Sequence, residues 1–569
     1  MRPQFQRGAA PRRYAPGPSA ANHSDGQAIG LLLAGAVALV LAWFWLTSLL
    51  TAWSATGRWS RLPASGLGAA LMAARRHPGE PMAGWPVSAA HGSGTRFYLW
   101  AMALAGAAAI LSRLVAPRRR SANHWARSPD LRDLRVRRPG AKGRLILGRV
   151  TGRRAGSSHL LATESRHSVL VIGPTQSGKT SGLAIPAILE WKGPIVATSV
   201  KDDLAAHTWP YRARLGPCAV FDPTGATGLS DAPTARWSPV EASDTWSRAQ
   251  QVASWLVEST PGRTGMADAA FWYTTAAKQL APLLLAAQRA GMAIADVVRW
   301  TNSDNFDEPG LLLRASGDDD AAMALAASAA RDDRIRSSVT TTLETVLAPF
   351  EDPVVAASTM ASDIDLHRLI TGQGTLYLCG PAHEQSRVQG LYATLVSAIV
   401  AEAVRVAAET RAALDPPLLL VLDEAANIAP IRDLDTLAST GAGLGIQLVT
   451  VCQDLAQLGN RYGPERSRTI ANNHRAKLLL SGVSDLSTLD LISGLAGEHA
   501  VEEASMTHDL SAGGRSRSTT TVLRRLAPTD ELRRIGPGEG VLVYGHLPPA
   551  RVRLRPWYRD RRLRKRAGG

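Results

Sequence analysis

Cysteine is nearly absent from this chain, with three in 569 residues: Cys218, Cys379 and Cys452. Each stands inside an apolar run, with no CxxC spacing and no histidine cluster beside it. That excludes a disulfide-stapled scaffold and a cysteine-built zinc site, and it predicts buried, reduced thiols in a reducing compartment. Lysine is scarce too, 7 against 57 arginines. Acidic residues are thin at the ends: residues 1–160 hold 4 Asp/Glu against 23 Lys/Arg, and residues 551–569 hold 1 against 9. The stretch between has the opposite balance, 43 acidic against 32 basic, so the formal charge of +16 belongs to the two ends. A body that coats nucleic acid over its whole surface is thereby excluded. Basic ends beside a membrane segment suit anionic lipid equally well. The sequence shows no internal repeat.

Charge is missing altogether from residues 26–57, which carry no Asp, Glu, Lys or Arg. Within them Ile29–Trp53 is long and apolar enough to span about 30 Å of hydrocarbon, with Trp43, Trp45 and Trp53 as aromatic anchors. A second charge-free run, Phe97–Ser112, extends to about Val115 if Arg113 snorkels. Residues 28–117 are therefore expected to be a transmembrane region, with helices at about 29–53 and 97–115 and a non-cytoplasmic loop between. Two spans put both ends on one side, and Arg118-Arg119-Arg120 place that side in the cytoplasm. The loop arginines Arg58, Arg61, Arg75, Arg76 and Arg96 run against that bias. Residues 1–27 read as a disordered basic tail, 118–155 as a basic juxtamembrane linker with a strand at Leu145–Val150, and 551–569 as a basic C-terminal tail.

From residue 156 short apolar runs bounded by turn residues read as buried parallel strands: Ser168–Ile172, Pro194–Ser199, Cys218–Phe221, Thr375–Cys379, Leu418–Leu422, Ile446–Cys452, Ala476–Leu480 and Val541–Tyr544. Helical stretches alternate with them, which predicts a doubly wound, mostly parallel α/β sheet over 156–243 and 360–550. Between, residues 244–359 turn Ala- and Leu-rich and lose the strand pattern, so an inserted all-α domain is expected there.

The first strand runs into Gly173-Pro174-Thr175-Gln176-Ser177-Gly178-Lys179-Thr180-Ser181, a GxxxxGK[ST] pattern. Its glycines let successive N–H groups face phosphate oxygens, Lys179 brings a point charge to the β/γ-phosphates of ATP, and Thr180 offers a hydroxyl to Mg²⁺. The helix expected over Ser181–Trp191 adds its N-terminal dipole, with a kink at Pro186. The strand Leu418–Leu422 ends in Asp423-Glu424. Beside a phosphate loop, Asp423 is placed to hold Mg²⁺ and Glu424 to orient and deprotonate the attacking water. Gln453, at the end of the strand Ile446–Cys452, either reports on the γ-phosphate or is a strand-end hydrogen-bonding glutamine.

These residues, with Ser199-Val-Lys-Asp-Asp203, Phe221-Asp-Pro-Thr-Gly225, Trp237-Ser-Pro239, Phe271-Trp272, Leu422–Asn427, Gln453–Leu458 and Gly536–Gly545, resemble the TraG/TraD-type coupling proteins of conjugative type IV secretion, in the FtsK/HerA branch of P-loop motor ATPases. The resemblance covers most of residues 165–560. It implies a RecA-like nucleotide-binding domain in a membrane-anchored homo-hexamer. It further implies ATP hydrolysis that drives single-stranded DNA, with its relaxase, to a secretion channel. Family members commonly carry an arginine past the Asp-Glu that reaches a neighbouring subunit. Here Ser439–Gly445 has none, and Arg432, Arg461, Arg466 and Arg475 stand as alternatives. A double-stranded DNA pump and a nucleotide-binding membrane scaffold without turnover are the competing readings.

Overall fold

The computed structural model describes residues 24–85, 93–115, 124–140, 143–151, 159–228, 234–260, 269–508 and 515–568. The expected N-terminal tail up to residue 23 and Arg118–Arg120 lie outside the described residues. The chain divides into two compact units, Met1–Ser121 and Ala122–Gly569.

In the first unit both expected apolar helices are present, as Ser24–Thr56 and Gly94–Val115, with a short helix Leu67–Arg76 between them. Phe44, Ala52, Leu62, Ala70, Met82, Trp85 and Phe97 form a small core, and Trp45 Nε1 donates to Leu62 O at 3.1 Å. Val37, Leu39, Val40, Leu99 and Met102 remain largely exposed on the two long helices. Val37–Thr56 is long and apolar enough to cross a membrane; Gln385–Thr410 also meets that test but is mostly buried in the second unit.

The second unit is built on a 12-stranded sheet. Its strands in chain order are β1 Arg135–Val136, β2 Ile146–Val150, β3 Leu160–Ala162, β4 Val169–Ile172, β5 Ile195–Ser199, β6 Cys218–Phe221, β7 Thr375–Cys379, β8 Leu418–Leu422, β9 Ile446–Cys452 and β10 Ala476–Leu480, followed after β11 Glu498–His508 and β12 Arg515–Arg525 by β13 Glu539–Tyr544 and β14 Ala550–Arg553. Spatially they run β1-β3-β2-β14-β13-β10-β4-β9-β8-β5-β7-β6, with β11 and β12 forming a separate hairpin. From β10 to β6 every pairing is parallel; from β13 outward every pairing is antiparallel.

The period-two geometry of a strand sends alternate side chains to opposite faces. Leu170, Ile172, Leu418, Leu420, Leu422 and Leu448 join the core on one face, while Val169, Val171, Leu419, Val421, Val449 and Val451 join the core on the other. Both faces are covered, which is why these strands read as unbroken apolar runs.

Seven helices, from Trp246–Glu258 to Pro353–Ser358, make up the described part of the expected insertion. Their buried residues, such as Leu280 and Trp300, belong to the same core as Leu376 of β7 and Val388 of the helix Gln385–Thr410. The insertion therefore packs as a continuation of one face.

One expectation is corrected. Residues 551–569 do not form a free basic tail: β14 pairs with β13 and β2, and Val552, Leu554 and Leu563 are buried. Arginines alternate with these apolar residues, so one side of the segment packs while the other stays charged. In 118–155 the expected strand is present as β2, and a further strand, β1, also joins the sheet.

Between β9 and β10 lies a fully buried imidazole. His474 Nδ1 lies 2.7 Å from Ile470 O and so carries the proton, leaving Nε2 to accept from Thr450 Oγ1 at 2.8 Å. Burial pushes its pKa down to about 4, from 6.5. The folded state therefore resists protonation that the unfolded chain accepts. Stability is expected to fall as pH drops from 6.5 towards 4, by about 3 kcal/mol from this group at full effect. Melting temperatures measured across that range should fall more steeply for the parent than for His474→Gln.

Candidate functional site

Strand β4 is completely buried and stops at Gly173, whose N–H donates to Cys452 O on β9 at 3.0 Å. The loop then folds tightly. Gln176 and Gly178 take left-handed φ values of 65° and 88°, and a Cβ on Gly173 would meet Ser177 Oγ at 2.6 Å. Pro174 is half-buried; Thr175 and Gln176 point outward; Ser177 and Lys179 are buried. The helix that follows differs from the simple kinked one expected. Thr180–Ala184 is π-helical and Ile185–Glu190 is α-helical, with Pro186 in the α-helix's first turn. A first-turn proline lacks an N–H that would be unpaired there anyway, and the wider π turn takes up the change of register. Thr180 and Ser181 open that π turn half-buried.

Strand β9 lies between β4 and β8, so the Asp-Glu pair stands one strand beyond the loop's immediate neighbour. The side chains nevertheless converge. Thr180 Oγ1 donates to Asp423 Oδ2 at 3.2 Å. Asp423 is buried by the sheet, and burial pushes its carboxyl up to about 6; nearby Lys179 pulls it down and Glu424 pushes it up. Thr198 on β5 donates to the Asp423 carbonyl at 2.9 Å, fixing the turn from below. Glu424 takes a left-handed φ of 53°, a costly conformation for a residue with a Cβ. It turns the chain sharply after Asp423, and Asn427 Nδ2 donates to its Oε2 at 3.3 Å. Gln453 is half-buried at the end of β9, and its backbone N–H donates to Gln457 Oε1 at 2.9 Å.

Three buried polar atoms at this point have no hydrogen-bond partner among the described residues: Lys179 Nζ, Ser177 Oγ and Asp423 Oδ1. An ammonium, a hydroxyl and a carboxylate oxygen left unmatched out of water would each be costly. The donor set fits a phosphate group with a hard divalent cation, which takes oxygen ligands. The loop N–H groups and Lys179 can meet the phosphates; Thr180 and Asp423 can meet the cation.

The sequence pattern of the family described as "Type IV secretory system Conjugative DNA transfer" matches residues 125–568. The chain belongs to that family. Protein VirD4 of Agrobacterium fabrum (strain C58 / ATCC 33970) is 25% identical over 494 residues, covering 80% of this chain and 69% of the relative. A conjugal transfer protein TraG of Escherichia coli is 26% identical over 351 residues, covering 55% of this chain and 53% of the relative. Among solved structures, the unbound bacterial conjugative coupling protein TrwBdeltaN70 superposes with a TM-score of 0.59 at 18% identity, covering 76% of this chain and 92% of that one. The plasmid coupling protein TrwB in complex with ADP and Mg2+ gives 0.53 at 18% identity, covering 73% and 95%. The family fold is thus shared.

Of the four arginines considered for a role towards a neighbouring subunit, three are engaged within their own chain. Arg432 pairs with Glu258, Arg461 donates to Ser259 O at 2.9 Å, and Arg466 donates to Asp435 Oδ1 at 2.7 Å. Arg475 lies beside Gly545, accepting the Gly545 N–H through its carbonyl at 3.1 Å.

Sequence reading missed Thr198, because a threonine inside an apolar strand carries no motif. It also missed the wall behind the loop: a Cβ on Gly182 would come within 2.9 Å of Leu554 Cβ. Arg555 there forms a buried fork on Glu190, with contacts of 3.1 and 3.0 Å. Replacing Thr198 by Val keeps the shape but drops the hydrogen bond to Asp423. The substitution should destabilise the protein by about 1 kcal/mol, measured by urea unfolding, and loosen magnesium-dependent nucleotide binding several-fold.

Proposed function

We propose that this member of the conjugative DNA transfer family is a membrane-anchored, ATP-hydrolysing coupling protein. It recruits DNA, as the relaxase-bound single strand, and drives it to a type IV secretion channel. The observation that carries the reading is the convergence of Lys179, Thr180 and Asp423, with buried polar atoms left open towards one point. The apolar helices Ser24–Thr56 and Gly94–Val115, with exposed apolar side chains, support anchoring in the cytoplasmic (inner) membrane with both ends inside. Six copies in a ring are taken from the family resemblance.

In this mechanism N–H groups of the loop between Thr175 and Ser181 cradle the phosphates of ATP, and Lys179 neutralises charge as it shifts towards the leaving oxygens. Thr180 and Asp423 would hold Mg²⁺. When bound there, the ion would supply positive charge against the negative charge of the phosphates. Glu424 aligns a water in line with the γ-phosphorus and takes its proton. Gln453, at the end of the strand between the loop and the acids, senses whether the γ-phosphate is present and passes that state to the helix Leu455–Tyr462.

Lys179→Ala should lower turnover roughly 10²–10³-fold. Glu424→Gln should leave nucleotide binding intact while cutting phosphate release roughly 10²–10⁴-fold. Both are measured on the full chain in detergent with single-stranded DNA present. A parent protein without any turnover under those conditions would sink the motor reading.

A further inference from the structure

The two basic ends of the second unit meet. A cavity of about 500 Å³ opens where β1, β2 and β3 face the segment after β14, and its lining includes Arg137, Arg138, Arg149, His159, Arg561 and Arg562. Its only lining carboxylate among the described residues is Asp560, and that group is already committed. It accepts from Arg555 Nη2 at 2.7 Å and from the N–H groups of Arg562 and Leu563. Arg555 is in turn held by Glu190. By contrast, the exposed guanidinium groups of Arg137, Arg138, Arg561 and Arg562 make no ion pair or side-chain hydrogen bond among the described residues. Four unpaired planar forks around one concavity are a repulsive arrangement unless an anion sits between them.

We propose that this cavity binds the phosphate of an anionic lipid headgroup. Arg137 follows the end of the apolar helix Gly94–Val115 by only 22 residues. In the turn that precedes Asp560 and the two arginines, Tyr558 is 47% exposed. An exposed aromatic ring beside basic groups is the composition of a membrane–water interface. Each arginine close to an anionic surface strengthens binding roughly fivefold. The inference rests on the membrane anchoring proposed above. It adds a lipid preference for one face of the nucleotide-binding unit.

The test reconstitutes the full chain in nanodiscs of phosphatidylcholine alone or with phosphatidylglycerol, and follows amide hydrogen exchange in peptides covering 135–150 and 550–566. Phosphatidylglycerol should slow exchange there in the parent. It should fail to do so in the variant combining Arg137→Gln, Arg138→Gln, Arg561→Gln and Arg562→Gln, whose changes are on exposed side chains and should leave the melting temperature unchanged. Equal exchange in both kinds of disc overturns the proposal. Protection of the same peptides by a single-stranded oligonucleotide in phosphatidylcholine discs, without a phosphatidylglycerol effect, also overturns it and assigns the cavity to nucleic acid. A chain that does not co-elute with discs at all overturns the anchoring reading, and this one with it.

Discussion

A cation and an anion are held out of water at one point, above a parallel sheet, with neither fully satisfied. Lys179 and Asp423 are both buried, and each keeps an atom without a hydrogen-bond partner among the described residues. Removing ions from water is expensive unless geometry repays it. Here the geometry is imposed by everything around it: three adjacent buried strands set the spacing, Thr180 and Thr198 pin Asp423 from two sides, and the left-handed turn at Glu424 prevents the chain from relaxing away. The sheet's rigidity is the condition for keeping such a pair poised.

The parallel half of that sheet was legible because both of its faces are covered. Its strands read as continuous Val/Ile/Leu runs, and β5 to β10 sit within a residue of where hydrophobicity alone puts them. The antiparallel half was harder. In β14 only alternate residues face inward, so buried Ala550 and Val552 alternate with exposed Arg551 and Arg553, and charge count hid the pattern. β1 and β3 are two and three residues long, too short for any period to declare itself. The β11–β12 hairpin carries no apolar run, since Thr, Ser, Glu and Arg dominate it.

The site divides along the same line. Glycine, lysine and threonine at fixed spacing announce a phosphate loop, because only that order lets backbone and side chain share one anion. The contacts that brace it come from residues with no local signature: Thr198 below Asp423, Glu190 locked to Arg555, Leu554 against Gly182. Their meaning depends on chain crossings that no window of sequence contains. The continuous core joining the helical insertion to the sheet belongs with them. It ties the insertion to the layer under the strands that carry the glycine-rich loop and the Asp-Glu pair.

The contact between Gly182 and Leu554 bears on how the protein is made. The glycine-rich loop and the wall behind its helix lie far apart in the chain, at Gly182 and Leu554. Strands β4 and β9 are likewise separated by more than half of the unit. Until Leu554 and Leu563 emerge, Gly182 and the helix it opens have an uncovered side. A nascent chain therefore holds this segment with an open side until that distant wall is made, and long-range pairings of this kind form slowly. The packing around this loop is thus finished only by chain that follows it by several hundred residues.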